Sequence, residues 1–356
     1  MKRIVVIVAI VAVAVLGFVL LKKDVGSQAG KPIVKIGVIL PITGNLAQIG
    51  DNSRVLIEKI REDTKNSPIN FKFIVEDNNT EVKRSVVIAN KLVNADKVDA
   101  IFSMFTNFST AVTPIATKAG LLHVCVANDC EVATGPLNFA NWQQNDVSAR
   151  KVTELMKDKG AKKVVIFTLE HSGYILIANA VKDEFAKNGI EYEEFFFNPS
   201  ERDFVTMVDK AATIPDVDYW FLNTMSPAIE LIRKQMLDKN ITIPVTGIQS
   251  FGTAEIPDLF KGYEYIDAAE VSDEIKEYVM SCTGSKNITI PAYAYDSVNI
   301  MVKLYEDFYN REGRLPNSEE AAEELHRMNT YYGSVGAVHI APNRIMYSDT
   351  VIKVVE

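Results

Sequence analysis

Short apolar, β-branched runs alternate along this chain with stretches whose apolar residues recur three and four apart. The first run, Val34–Leu40, has strand length. Pro41, Thr43 and Gly44 break it, and Asp51-Asn52 opens a helix with Val55, Leu56, Ile57 and Ile60 on one face. Phe71–Val75 reads as the next strand and Glu81–Asn94 as the next helix. Ala100–Phe102 is a strand that runs into a polar loop, Ser103–Thr110. A helix over Thr110–Ala119, interrupted at Pro114, and a strand over Leu121–Val126 complete this series. A second series follows the same plan. Its strands are Lys163–Phe167, Tyr192–Phe197, Tyr219–Leu222 and Pro244–Ile248. Its helices are Val147–Lys159, Tyr174–Asn188, Phe204–Ala212 and Pro227–Lys239. Such alternation predicts two α/β units with parallel sheets. Helices over Ser272–Ser281, Ala292–Asn310 and Ser318–Met328 come next, and strand-like pieces at Val335–Ile340 and Val351–Val355 end the chain.

Two similar units in one chain predict a cleft between them, and domain interfaces are preferred sites for small ligands. In open α/β sheets the ligand lies beyond the carboxyl ends of the strands. The loop after Val34–Leu40, reading ITGNLAQIGD, would lie there with its hydroxyl, its glycine and its exposed backbone N–H groups.

The N-terminus changes the picture. Met1-Lys2-Arg3 precedes eighteen uncharged residues, Ile4–Leu21, and Lys22-Lys23 follow. At about 1.5 Å per residue they span roughly 27 Å, enough for a bilayer core. An uncleaved transmembrane anchor fits this length better than a cleaved signal, although Ser27-Gln28-Ala29 offers a small-residue cleavage site. Either way the rest of the chain is expected outside the cytoplasm. Those first 23 residues hold four basic groups and no acid, which leaves 34 Lys and Arg against 46 Asp and Glu, a net of −12. That charge argues against nucleic acid or an anionic membrane surface as a partner. Cys125 and Cys130 could pair across a short loop and leave Cys282 over, or all three could be reduced thiols.

No catalytic motif is present. No Gly-rich phosphate loop, Gly-x-Ser-x-Gly or His-Glu-x-x-His occurs, and the histidines at 123, 171, 326 and 339 are scattered. His171 lies in a strand-end loop, where it could touch a ligand or simply be solvated. No metal and no cofactor is expected.

Four stretches carry a resemblance: IGVILPITGNLAQIGDN (36–52), FIVEDNNTEVKRSVVIANKLVNADKVDAIF (73–102), ERDFVTMVDKAATIPDVDYWF (201–221) and AYAYDSVNIMVKLYE (292–306). In this order they resemble the branched-chain amino-acid-binding proteins, type I periplasmic solute-binding proteins of ABC transporters. The resemblance implies two Rossmann-like α/β lobes joined by a three-strand hinge, with a ligand trapped on closure. Residues 1–30 would be anchor and linker, 31–145 with 270–335 one lobe, and 146–269 with 336–356 the other.

The resemblance also maps a site. The opening loop matches Thr43 to Gly50, with Ile49 where the family places an aromatic. The family's carboxylate-binding serine loop matches Asn107, Phe108 and Ser109. Its Ala-Ala-Thr segment matches Val126, Ala127 and Asn128. Its second-lobe tyrosines fall on Ser172 and Met225, and the acid that accepts the ligand's ammonium falls on Gln249. These departures imply a neutral, hydrogen-bonding pocket that does not suit a standard branched-chain amino acid, with Phe105, Phe108 and Met225 as apolar walls. The expected partners are a small polar solute (an amino acid, amide or related compound), ABC permease subunits, and the membrane through residues 4–21. Two other functions stay open: a sensor of the same fold acting on a membrane partner, and an α/β enzyme.

Overall fold

A computed structural model describes residues 30–268 and 270–356. The anchor expected at Ile4–Leu21 and the cleavage site at Ser27–Ala29 lie outside the described residues. Among those described, no helix is long and apolar enough to cross a membrane.

The chain runs β1 (Ile33–Leu40), α1 (Ala47–Asp63), β2 (Asn70–Asp77), α2 (Val82–Lys91), β3 (Ala100–Met104), α3 (Thr106–Ala119), β4 (Leu122–Val126) and β5 (Asn138–Asn141). It continues through α4 (Asn145–Asp158), β6 (Lys163–Leu169), α5 (Ser172–Asn188), β7 (Glu191–Phe197), α6 (Val205–Ala212), β8 (Tyr219–Asn223), α7 (Ala228–Asp238), β9 (Val245–Gly247) and β10 (Glu264–Ala268). Then come α8 (Asp273–Thr283), α9 (Thr289–Glu312), α10 (Ser318–Met328), β11 (Thr330–Gly333), β12 (Gly336–Ile340), β13 (Ile345–Ser348) and β14 (Thr350–Val354).

One sheet has the order β11-β12-β13-β5-β4-β3-β1-β2 and the other β14-β10-β9-β8-β6-β7. β1 to β5 pair in parallel, as do β6 to β10, while β11–β12, β12–β13 and β10–β14 are antiparallel. The chain passes between the sheets after β5, after β10 and between β13 and β14. These crossings form the hinge. Residues 336–348 pair into the first sheet, and only 350–354 joins the second, so the lobe boundary differs from the assignment of all of 336–356 to the second lobe.

β1 is nearly apolar throughout because both its faces are covered. Val34, Ile36, Val38 and Leu40 pack with α1 and α9, and Ile39 packs with α2 and α3. α1 sits close over the end of β1. A Cβ on Gly50 would fall 2.0 Å from the Pro41 carbonyl oxygen, so glycine is required there. α1 starts at Ala47, a turn before the Asp51 expected from sequence, and α3 starts at Thr106 and continues through Pro114. Asn317 and Glu320 close α10 reciprocally: the Glu320 N–H donates to the Asn317 side chain (2.9 Å), and the Asn317 N–H donates to the Glu320 carboxylate (3.0 Å).

Polar contacts tie the hinge down. Asp296 on α9 accepts from the backbone N–H groups of Ser334 (2.8 Å) and Val335 (2.9 Å), and the Ser272 N–H donates to the Ser334 carbonyl (2.8 Å). Burial pushes the Asp296 carboxyl up to about 6 despite these donors. On the other side, Lys353 of β14 pairs with Asp267 of β10 (3.0 Å) and with Glu270 (3.3 Å), and Glu270 also pairs with Lys276 of α8. This ionic chain lines a cavity of about 390 Å³ with walls from both lobes.

Candidate functional site: the cleft between the lobes

The segments that follow β3 and β4 at their carboxyl ends meet the start of α5, which follows β6. On the first lobe the opening loop is fastened to the loop after β2. Thr43 donates its N–H and its hydroxyl to the Asp77 carboxylate (3.1 and 2.6 Å), and the Thr80 hydroxyl donates to the Thr43 carbonyl (2.9 Å). Burial alone would raise the Asp77 carboxyl, but the donors from Thr43 and Asn79 hold it below the usual carboxylate range. Asn79 and Thr80 have φ of 52° and 58°, and Phe105, after β3, has φ 66°. L-residues rarely adopt such angles, and a β-branched threonine least readily. β2 and β3 flank β1 in the sheet, so these angles stand on either side of the opening loop, and backbone strain of this kind clusters at ligand clamps.

Behind this rim lies a buried polar chain. Ser109 bonds Ser103 (2.8 Å), Ser103 bonds His123 (2.8 Å), and His123 bonds Asn138 (3.1 Å). Burial pushes His123 down to about 4, so its imidazole is neutral. Cys125 is a free buried thiol beside Ser109, pushed up to about 12 by burial. The Val126 carbonyl accepts from the Phe105 N–H (2.7 Å). Ile49, Phe108, Ser109, Val126 and Ala127 are buried within the first lobe, Ile49 among its core residues.

Asn107, Asn128 and Ser172 come together across the cleft. The Ser172 hydroxyl, at the start of α5, donates to Asn107 Oδ1 on α3 (3.2 Å). Asn128 Oδ1 accepts from the Thr106 hydroxyl (2.6 Å), and the Asn128 carbonyl accepts from Asn145 Nδ2 (3.0 Å). His171 caps α5 by accepting the Gly173 N–H at Nδ1 (3.4 Å). Met225, 37% exposed, follows β8, and half-buried Gln249 follows β9. The Gln249 amide has no hydrogen-bond partner among the described residues.

Residues beyond those mapped from sequence also stand at this end of the second lobe. Asn223 donates Nδ2 to the Tyr174 carbonyl (2.7 Å), yet its Oδ1 is buried without a partner among the described residues. The hydroxyls of Thr224 and Ser250 are in the same state. Buried polar atoms are normally satisfied, so such atoms at strand ends are candidate solute contacts. Only their place directly after the apolar runs of β8 and β9 signals them in the sequence. Among the described residues no group of three or more His, Cys, Asp or Glu could hold a metal.

A family model described as periplasmic binding protein matches residues 33–344. The chain belongs to the periplasmic binding protein family. Periplasmic binding proteins act outside the cytoplasm, bind small solutes and work with ABC transporter permeases; they are not enzymes. Among solved structures, this binding protein is similar to a leucine-binding protein from Thermotoga maritima, with 21% identity, a TM-score of 0.78, and 91% of this chain and 95% of that one covered. A branched-chain amino acid transporter substrate-binding protein from Streptococcus pneumoniae, in complex with isoleucine, shows 19% identity and a TM-score of 0.75 over 90% and 96% of the chains. A solute-binding protein from Rhodopseudomonas palustris, in complex with 3,4-dihydroxybenzoic acid, shows 18% identity and a TM-score of 0.77 over 91% and 93%. At these identities the likeness is one of fold. No curated protein matches the sequence.

Proposed function

We propose that this periplasmic binding protein traps a small polar solute, other than a standard branched-chain amino acid, between its lobes and delivers it to the permease of an ABC importer. Ile4–Leu21 would hold it at the membrane. The observation that carries the solute class is the neutral amide of Gln249, unpartnered where the family resemblance expects an acid. Asn107, Asn128 and Ser172 add neutral groups, and the unpartnered Asn223 Oδ1, Thr224 and Ser250 hydroxyls add acceptors and donors for a hydrogen-bonding ligand. The isoleucine and dihydroxybenzoate complexes of similar structures support a fold that accepts unlike solutes. A thermal-shift screen of the full-length protein against amino acids, amides, small acids and nucleosides tests the proposal, because a solute that binds the native state raises the melting temperature. An amide or related neutral compound should give the largest shift. Leucine as the strongest hit would overturn the solute class.

A further inference from the structure

We infer that the buried carboxylate of Glu230 gives the second-lobe wall of the cleft a negative potential, which draws in solutes by a cationic or N–H donor end and turns carboxylates away. This deepens the proposed function: it rests on solute lying against Met225 and Gln249, and it names the end of the solute that faces them.

Glu230 stands in the first turn of α7 and is 3% exposed. Its Oε1 accepts from the Ser226 hydroxyl (2.6 Å) and from the Glu255 N–H (2.8 Å). Ser226 is next in sequence to Met225. Glu255 follows a run of tight turns that begins at Gln249, in which the N–H groups of Gly252, Thr253 and Ala254 donate to the carbonyls of Gln249, Ser250 and Phe251. The carboxylate therefore joins the two loops that carry Met225 and Gln249. Its Oε2 has no partner among the described residues. Arg233, one turn further along α7, donates instead to the Leu259 carbonyl (3.2 Å) and the Tyr263 hydroxyl (3.0 Å). The charge is thus held by two donors and the positive end of α7, and among the described residues no ion pair offsets it.

Fastening the loops does not itself need a charge. The amide oxygen of a glutamine could accept from Ser226 and Glu255, with less desolvation cost than a buried carboxylate that has one bare oxygen. The charge stands behind a neutral wall: Ser172, Asn223, Thr224, Met225, Gln249 and Ser250 are all uncharged. Its reach can be bounded. From Oε1 through Ser226 to the side-chain tip of residue 225, the contact and the covalent geometry span at most about 12 Å. At about 10 mM salt the Debye length is roughly 30 Å, so the charge is felt across that gap. It acts as a field and not as a contact, so it favours a donor without supplying the ion pair that Gln249 lacks.

Charged thiol reagents read this potential directly. Met225→Cys is placed in a Cys130→Ser, Cys282→Ser background of the full-length protein, which leaves the buried Cys125. The Met225 side chain takes no part in either bond to Glu230. Modification rates are measured with a cationic methanethiosulfonate (trimethylammonium-ethyl) and an anionic one (sulfonatoethyl) at about 10 mM salt. Glu230→Gln keeps an acceptor oxygen and should lower the cation-to-anion rate ratio by on the order of three-fold or more. Glu230→Met removes charge and acceptor together and should lower it equally. An unchanged ratio in Glu230→Gln would overturn the proposal. A fall in Glu230→Met alone would also overturn it, because the carboxylate would then act only by fastening the loops. With Glu230 intact, raising salt to about 0.5 M should bring the ratio down toward the Glu230→Gln value, and a ratio indifferent to salt would contradict the field. The ratio involves no solute, so leucine as the strongest hit in the thermal-shift screen would overturn the proposed solute class and leave this result standing.

Discussion

Gln249→Glu should create affinity for leucine that the wild type lacks. Gln249 begins the short turn after β9, is half-buried, and offers a carbonyl oxygen together with an amide donor. An amino acid placed there sets its ammonium against a neutral group. Hydrogen bonds to charged groups contribute about 1.5–3 kcal/mol, against about 0.5–1.5 for neutral ones. The substitution should therefore gain about 1–2 kcal/mol, roughly 5- to 30-fold in affinity. Recovery will be partial, because Ser172 and Met225 remain where the family resemblance expects aromatic contacts. A buried acid of the second lobe, Glu230, is 3% exposed, and its Oε1 is taken by the Ser226 hydroxyl (2.6 Å) and the Glu255 N–H (2.8 Å). Isothermal titration of both proteins with leucine is the assay. Micromolar or tighter binding by the wild type would refute the reasoning and point to Glu230, whose Oε2 is buried without a partner among the described residues.

Other outcomes follow from the hinge and the opening loop. Asp296 titrates near 3.8 when unfolded and at about 6 when folded, so the folded state holds its proton more tightly. Its stabilising contribution is present below pH 4 and lost as pH rises through 6, about 3 kcal/mol in all. Denaturant titrations from pH 7 to 4 should show the wild type gaining stability relative to Asp296→Asn; a pH-independent difference would contradict this. Gly50→Ala should lower stability by about 1–3 kcal/mol, since its methyl meets the Pro41 carbonyl at 2.0 Å. An unchanged unfolding midpoint would show that α1 shifts at no cost.

Both series of apolar strands were legible because parallel strands covered on two faces leave unbroken runs, as in β1, β4 and β6. β5 was not. Its sequence, Asn138-Phe139-Ala140-Asn141, looks like a loop, yet both asparagines are buried: Asn138 bonds His123 and Thr117, and Asn141 Nδ2 bonds Ser297 while its Oδ1 has no partner among the described residues. The polar first turn of α3 hid its start at Thr106 in the same way. β12 and β13 fell to the wrong lobe because only long-range pairing with β5 places them. Asn107, Asn128 and Ser172, which the resemblance maps to a ligand site, lie close together between the lobes. The polar chain behind Ser109 was hidden because it links β3, α3, β4 and β5 across the sheet.

The central claim is that solute is enclosed by movement of the two lobes about the three crossings. Small-angle scattering of the full-length protein, empty and saturated with the solute found by thermal shift, tests it most directly. Saturation should reduce the radius of gyration, because solute gains its contacts to the second lobe only in the closed form. A radius unchanged by confirmed binding in the cleft would contradict the account.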